Sequence, residues 1–382
     1  MKRIWSLLTI AMLLLGLLPI SAMAAGPEVA AKSAVLMDMA TGMVLQEQNA
    51  HEKLAPASVT KVMTLLLIME AIDSGKIHWE DQVIASESAA AKGGSQVYLK
   101  VGETMSVSDM VKSIAVSSAN DCACAMAEHI AGSEQAFVEL MNRRAEELGM
   151  QDTHFVNCTG LDDSPEAAEH RTSAYDIALM SRELMANHPD IQKFTTIWMD
   201  TIRNGAFGLA NTNKMIRFYP GATGLKTGFT AGAGYCLSAT AQRENLGLIA
   251  VVMGAETSQA RFGACKQLLD YGFANFSLVT PEMSGGAVKV KLGTADFVKA
   301  VPAESAQLLV DKAQANQVQI ETVLEEEIPA PVSKGQRLGT LTVKVGEQIV
   351  KQIPLVAEDA VPRLTWWDIF LRIFRKVSMA KE

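Results

Sequence analysis

Two hydrophobic periods alternate along this chain, and their order limits what it can fold into. "SAVLMDMATGMVLQEQNA" alternates apolar and polar residues around Ala40-Thr41-Gly42, the signature of a two-stranded hairpin. From Pro56 to about Ile130 the period changes. "VTKVMTLLLIMEAI", "MSVSDMVKSIAVSSAN" and "DCACAMAEHIAG" repeat apolar residues at three and four, as amphipathic or buried helices do. Ser106 and Asp109 stand where N-terminal caps belong, and Gly132 ends the last of these helices. "TSAYDIALMSRELMAN" is helical again. From about Gly221, "TGLKTGFTAGAGYCLSATAQRENLGLIAVVMGA" reads as strands and tight turns, and the helix "SQARFGACKQLLDYGFANF" closes the region. Strands at both ends with helices between them predict an α+β domain over 28–277, a mixed sheet covered by a helical subdomain.

Beyond Val279-Thr280-Pro281 the texture shifts to short alternating segments, "GAVKVKLG", "FVKAVPA", "VQIETVLEE" and "LGTLTVKVGEQIVKQIPLVA". They predict a small all-β domain over 278–360, of a size that folds alone, with no cluster of catalytic residue types. The tail 361–382 differs again. Trp366, Trp367, Phe370, Ile373, Phe374 and Val377 recur at three and four, with Arg372, Arg375, Lys376 and Lys381 on the polar side. That pattern predicts an amphipathic helix lying in a membrane interface, the alternative being a helix packed on the β domain.

At the other end, "MKRIWSLLTIAMLLLGLLPISAMAAG" has a basic start, an apolar run and a small-residue finish at Ala22-Met23-Ala24. Residues 1–24 read as a secretory signal peptide, with a retained anchor as the alternative. The apolar run breaks at Pro19 and is short for a membrane span. Loss of Lys2 and Arg3 moves the formal charge from −8 to −10. An exported chain this acidic repels a phosphate backbone, so a nucleic-acid partner is not expected. The five cysteines (Cys122, Cys124, Cys158, Cys236 and Cys265) are odd in number, and the 382-residue chain is long enough to fold without staples. Cys122 and Cys124, two apart on a helix, read as small core residues. The six histidines form no H-x-x-x-H and the cysteines no C-x-x-C, so no metal site is expected.

Chemistry concentrates in three short strings. "LAPASVTKVMT" sets Ser58 three residues before Lys61, one helical turn apart, which places a weak nucleophile beside a base. Pro56 just before it suits a helix start, where free N–H groups favour negative charge. Alone this string reads equally as a helix cap with a solvated lysine, and Ser378 to Lys381 repeats the spacing in the tail. "SSAN" supplies Ser118-Ala119-Asn120, the one S-x-N, at a junction between helical segments, where an Asn cap is the simpler reading. "LKTGFT" supplies Lys226-Thr227-Gly228, the one K-T-G, in an apolar strand pattern that could equally be a turn. Gly228 there leaves room for close backbone approach. The ordered set S-x-x-K, S-x-N, K-T-G is far more specific than its parts.

With these motifs, and with "SANDCACAMAEHIAG", "HFVNCTGLDD" and "RFGACKQLLDYGF", the chain resembles low-molecular-weight penicillin-binding proteins. The resemblance is to their serine-type D-alanyl-D-alanine carboxypeptidase family (peptidase family S11), over nearly the whole length. It implies a penicillin-binding, β-lactamase-like transpeptidase domain, then the small all-β domain and the amphipathic C-terminal helix. It also implies removal of the terminal D-alanine from peptidoglycan stem peptides through an acyl-enzyme, in cell wall biogenesis and without a cofactor. β-Lactams would acylate the same serine. By this resemblance Ser58 is the nucleophile, Lys61 its general base and Ser118 a proton relay. Asn120 binds the substrate amide. Lys226 and Thr227 address the terminal carboxylate with help from Arg261. The N–H groups of Ser58 and Phe229 form the oxyanion hole, and the stem peptide lies along this strand as an added strand. The implied address is the outer face of the cytoplasmic membrane. For Lys61 to accept a proton, burial and neighbouring cations such as Lys226 must lower its pKa. Two rivals differ in kind. A class A β-lactamase needs a deacylating glutamate, for which Glu183 of "ELMAN" is the available string; a non-catalytic wall-binding or β-lactam-sensing module would bind, or stop at the acyl-enzyme, without turnover.

Overall fold

The computed structural model describes residues 26–280, 286–305 and 307–371. The expected signal peptide, the tail beyond residue 371 and the second S-x-x-K at Ser378 lie outside the described residues. Two compact units divide the chain. One comprises described residues up to 37 with 44–241 and 248–271; the other comprises 38–43, 242–247 and the described residues from 272 onward.

The expected hairpin is present: β1 (Ser33–Asp38) pairs antiparallel with β2 (Val44–Gln48). In its turn, Thr41 donates from its N and its hydroxyl to Asp38 Oδ2 at 2.7 and 2.6 Å, and Gly42 takes a φ of 75°. Near the other end of the unit come β3 (Ala222–Thr230), β4 (Gly234–Arg243) and β5 (Leu246–Ala255). The five strands form one sheet in the order β2-β1-β5-β4-β3. The first strand of the chain thus sits beside a late one, and the helices lie between them in sequence. β5 is buried along nearly all its length, as a strand covered on both faces must be. β3, which carries Lys226-Thr227-Gly228, is an edge strand.

The main helices are α1 (Lys61–Asp73), α2 (Val107–Ser117), α3 (Asn120–Ala131), α4 (Glu134–Glu147), α5 (Ala174–Asn187) and α6 (Ser258–Asn275). Val62, Met63, Leu65, Leu66, Ile68 and Met69 of α1 are all buried, so this helix runs through the core rather than over it. Each such side chain contributes about 1.5–3 kcal/mol by leaving water. Ser106 caps α2 by accepting from Asp109 N, and α3 ends at Gly132 with a φ of 83°. Cys122 and Cys124 are buried on α3, and Cys158, Cys236 and Cys265 are buried and free as well. The helical texture of 56–130 hides one exception: Gln82–Ile84 pairs antiparallel with Thr104–Ser106. Three residues with one buried side chain each (Val83, Met105) are too short to show a period of two.

The second unit contains the predicted β structure. β6 (Gly286–Lys291), β7 (Phe297–Pro302), β8 (Val318–Leu324), β9 (Glu327–Pro329), β10 (Arg337–Val345) and β11 (Gln348–Ala357) form a six-stranded sheet in the order β8-β10-β11-β7-β6-β9. Val288, Val290, Val298, Leu341, Val343, Ile353 and Leu355 form its core. In β6 they alternate with the exposed Lys289 and Lys291, the period-2 pattern seen in the sequence. The described part of the tail helix covers 366–371. Thr365 and Asp368 cap it reciprocally, Asp368 N donating to Thr365 Oγ1 and Thr365 N to Asp368 Oδ2. Trp366, Trp367 and Phe370 stack on one another with centroids 5.4–6.0 Å apart and stay exposed. Among the described residues no helix is long and apolar enough to cross a membrane.

Candidate active site

Ser58 does not open an α-helix, as its spacing after Pro56 predicts. It stands in a 3-10 turn, Ala57–Thr60, and α1 begins only at Lys61. Ala57 has a φ of 47°, a left-handed conformation that costs an L-residue roughly 1–2 kcal/mol and has to be held by its surroundings. The one-turn spacing still brings Ser58 and Lys61 together. Lys61 Nζ donates to Ser58 Oγ at 2.9 Å and to Thr159 O at 2.7 Å.

The second partner comes from the loop of "HFVNCTGLDD", a segment that carries the resemblance but to which it attaches no residue role. In "VNCTG", Asn157 Oδ1 accepts from Thr159 N at 3.1 Å and Gly160 N at 2.6 Å, an Asx-type turn. Thr64 of α1 donates its hydroxyl to Cys158 O at 2.6 Å, and Cys158 N donates to Glu134 Oε1 at 3.2 Å. Gly160, with a φ of 78°, lies so close to the Ser58 turn that a Cβ there would stand 1.9 Å from Ala57 O. The loop therefore props both the turn and Lys61. The Asn-x-x-Gly spacing signals a turn, but nothing local shows that it touches residues about a hundred positions earlier.

The two companion motifs converge on each other. Ser118 ends α2 in the left-handed region, φ 63°, and Lys226 Nζ donates to its Oγ at 2.8 Å and to Thr227 O at 2.9 Å. The hydroxyl expected beside Lys61 is thus held by the other lysine. Asn120 does not cap α3. Its Nδ2 donates to Gly93 O at 2.7 Å, while its buried Oδ1 has no partner among the described residues, an acceptor left open. Thr227 Oγ1 donates to Thr212 Oγ1 at 2.7 Å, adding a second hydroxyl that the motifs did not reveal. Gly228 passes against the start of the turn: a Cβ there would lie 2.6 Å from Pro56 O and 3.1 Å from Ser58 N. Phe229 is exposed and stacks on Tyr235 of β4, centroids 4.3 Å apart. Arg261 of α6 donates from Nη1 to Gly228 O at 2.9 Å and Cys236 O at 3.2 Å, behind the strand, and its buried Nε has no partner among the described residues.

Both lysines are fully withdrawn from water, and burial governs their proton affinity. It brings Lys61 down to about 7, against the opposing pull of Cys158 and Asp121. The Cys158 thiol is itself pushed well up, first by its hydrogen bond with Cys124 and then by burial, so it is neutral near pH 7 and Asp121 is the charge that counts. The repulsion expected between Lys61 and Lys226 is expressed at Lys226. Lys226 is held well below its ordinary value by burial first and then by Lys61 and Arg261. Glu183, the carboxylate of the β-lactamase rival, accepts from Arg144 Nη2 at 2.6 Å and from Asn187 Nδ2 at 2.8 Å. The same guanidinium takes Glu70 at 2.7 Å. Glu70, Glu183 and His188 could approach a common ion, but Arg144 already supplies the positive charge there.

A model of the D-alanyl-D-alanine carboxypeptidase family matches residues 20–257, and one of the penicillin-binding protein 5 C-terminal domain matches 273–363. The D-alanyl-D-alanine carboxypeptidase DacF of Bacillus subtilis (strain 168) is 44% identical over 373 residues, covering 94% of each chain. Penicillin binding protein 5 from Haemophilus influenzae superposes with a TM-score of 0.76 at 30% identity, covering 89% of this chain and 100% of that one. Penicillin-Binding Protein D2 from Listeria monocytogenes, solved in the ampicillin-bound form, superposes at 0.60 with 31% identity, over 65% of this chain and 100% of that one. With the serine–lysine pair, the open Asn120 acceptor and the K-T-G edge strand in one site, the chain belongs to the D-alanyl-D-alanine carboxypeptidase family.

Proposed function

We propose that this protein removes the terminal D-alanine from peptidoglycan stem peptides as a serine acyl-transfer enzyme, and that β-lactams acylate it at the same residue. The observation that carries the reading is the 2.9 Å contact between Ser58 Oγ and a Lys61 whose pKa is brought to about 7. An amine that is half neutral near pH 7 can take a serine proton.

The stem peptide would extend the sheet along the open edge of β3. Lys226 and Thr227, with Thr212 behind them, would hold the terminal carboxylate, and Asn120 Oδ1 would accept a peptide N–H. Arg261 steadies Gly228 from behind and adds positive charge to the carboxylate side. Ser58 Oγ bonds to the penultimate carbonyl carbon as its proton passes to Lys61. The N–H groups of Ser58 and Phe229 receive the oxyanion, each donor being worth roughly 2.7–4 kcal/mol in such sites. Breaking the C–N bond releases D-alanine, whose amine takes a proton through Ser118. Water then bonds to the acyl carbon, the ester bond breaks and Ser58 recovers its proton. Incubation with a peptide ending in D-Ala-D-Ala should give steady release of free D-alanine. No release, or a single turnover that stops at the acyl-enzyme, overturns the carboxypeptidase reading.

The same proposal places the protein outside the cytoplasm, on the membrane face, after loss of residues 1–24. The stacked, exposed Trp366, Trp367 and Phe370 support the membrane contact, since such a cluster suits an interface better than open water. Deleting 364–382 is expected to move the protein from the membrane pellet to the supernatant while peptide cleavage continues. Pelleting of the truncated chain would count against the anchor.

A further inference from the structure

The peptide plane between Ala57 and Ser58 presents opposite groups to opposite sides. In a trans peptide the C=O of one residue and the N–H of the next point in opposing directions, so fixing one fixes the other. The Ala57 carbonyl is fixed. Thr60 Oγ1 donates to Ala57 O at 2.8 Å. That hydroxyl is in turn met by His170 Nε2 at 2.8 Å, from 110 residues away. His170 Nδ1 accepts from Val156 N at 3.1 Å, which leaves the imidazole proton on Nε2. Nε2–H therefore donates to Thr60, and Thr60 has its single proton free for Ala57 O. His170 and Thr60 are both buried, and Phe155 meets the imidazole edge-to-face with centroids 5.6 Å apart. Burial first, then His154, Arg171 and Lys61, holds His170 down to about 3, so the ring is neutral wherever the enzyme works.

Strand β3 passes on the other side of the same plane, close enough that a Cβ on Gly228 would come within 3.1 Å of Ser58 N. The left-handed Ala57 gives this plane its direction, and a strained residue holds its conformation only when its surroundings insist on it.

We propose that His170 is a positioning residue for the oxyanion hole: through Thr60 it locks the Ala57–Ser58 peptide so that the Ser58 N–H faces the reacting carbonyl. It touches neither substrate nor nucleophile, and it acts on the transition state rather than on substrate binding. The inference rests on the proposed role of the Ser58 N–H as an oxyanion donor.

The test compares Thr60→Val, His170→Leu, His170→Gln and the double variant Thr60→Val/His170→Leu, in the full chain. D-Alanine release is resolved into kcat and KM, and penicillin acylation is followed alongside. Thr60→Val keeps the shape of the side chain and removes only the relay. Its kcat and acylation rate are expected to fall about 10–100-fold, short of the loss of a whole donor, with KM within about 2-fold. His170→Leu should match it, and the double variant should be no slower than either, because the two residues act as one unit. His170→Gln can donate to Thr60 and accept from Val156, so it should stay within about 3-fold of the parent. Normal kcat in Thr60→Val, a loss confined to KM, multiplying single effects, or a His170→Gln as slow as His170→Leu each overturns the inference. If His170→Leu does not fold, Thr60→Val and His170→Gln still decide it. An active Ser58→Ala would sink the acyl-transfer reading itself, whereas an inactive Ser58→Ala beside a normal Thr60→Val would sink only the relay.

Discussion

Replacing Ser58 by alanine is expected to lower D-alanine release by at least about 10⁴-fold and to abolish covalent labelling by a fluorescent penicillin. Losses of that size follow when a nucleophile that acts as a unit with its base is removed. The fold should survive, because Ser58 contributes a hydroxyl held by Lys61 rather than a core side chain. Thermal unfolding and the far-UV spectrum check that the variant is folded, and residual labelling at another residue would defeat the mechanism. The buried carbonyls around the site make this a clean deletion: Thr159 O still receives Lys61 Nζ when the hydroxyl is gone.

The second large effect is on pH. Lys61 must be neutral to accept the serine proton, and its pKa stands at about 7. Acylation by penicillin should therefore rise with pH through 7 and level off above it. At pH 5 only about 1% of the amine is neutral, so the rate there should be about 100-fold below the plateau. Stability moves the same way. Lys61 is lowered from 10.5 in the unfolded chain to about 7 in the folded one. Between those values the unfolded state binds more protons, so stability rises with pH across that window, and below 7 the buried ammonium is a standing penalty. Lys61→Arg, which cannot give up its proton, should lose activity at every pH. A pH–rate profile flat down to pH 5 would remove Lys61 from its role.

Much of the site can be read in the chain because its pieces are local. The hairpin turn at Asp38–Gly42, the Ser106 cap and the Gly132 stop are each decided within four residues, and each occurs where it is expected. Ser58 meets Lys61 because three residues along a helical path is a distance set by geometry alone. The remainder depends on contacts between distant segments. Nothing near Thr60 announces His170, and nothing near Lys61 announces Thr159, 98 residues later. The left-handed φ at Ala57 falls on a residue type that gives no hint of it. Ser118 sits in its predicted junction, yet which of the two lysines holds it depends on how β3 closes against α2, which no short string specifies. The electrostatic balance was likewise hidden: burial, a property of the finished core, comes first for both lysines, and the repulsion between them is expressed at Lys226.

The five buried, unbridged thiols have a consequence for how long a molecule lasts. Under oxidising conditions each is protected only while the core stays shut, and every excursion that opens the core exposes it to capture. Because five is odd, any pattern of bridges formed within an opened chain leaves at least one sulfur unsatisfied and free to couple to another molecule. An opening that would otherwise be reversible can then become a permanent exit from the native population. The working lifetime of this protein in such surroundings is governed by how rarely it opens rather than by the depth of its free-energy minimum.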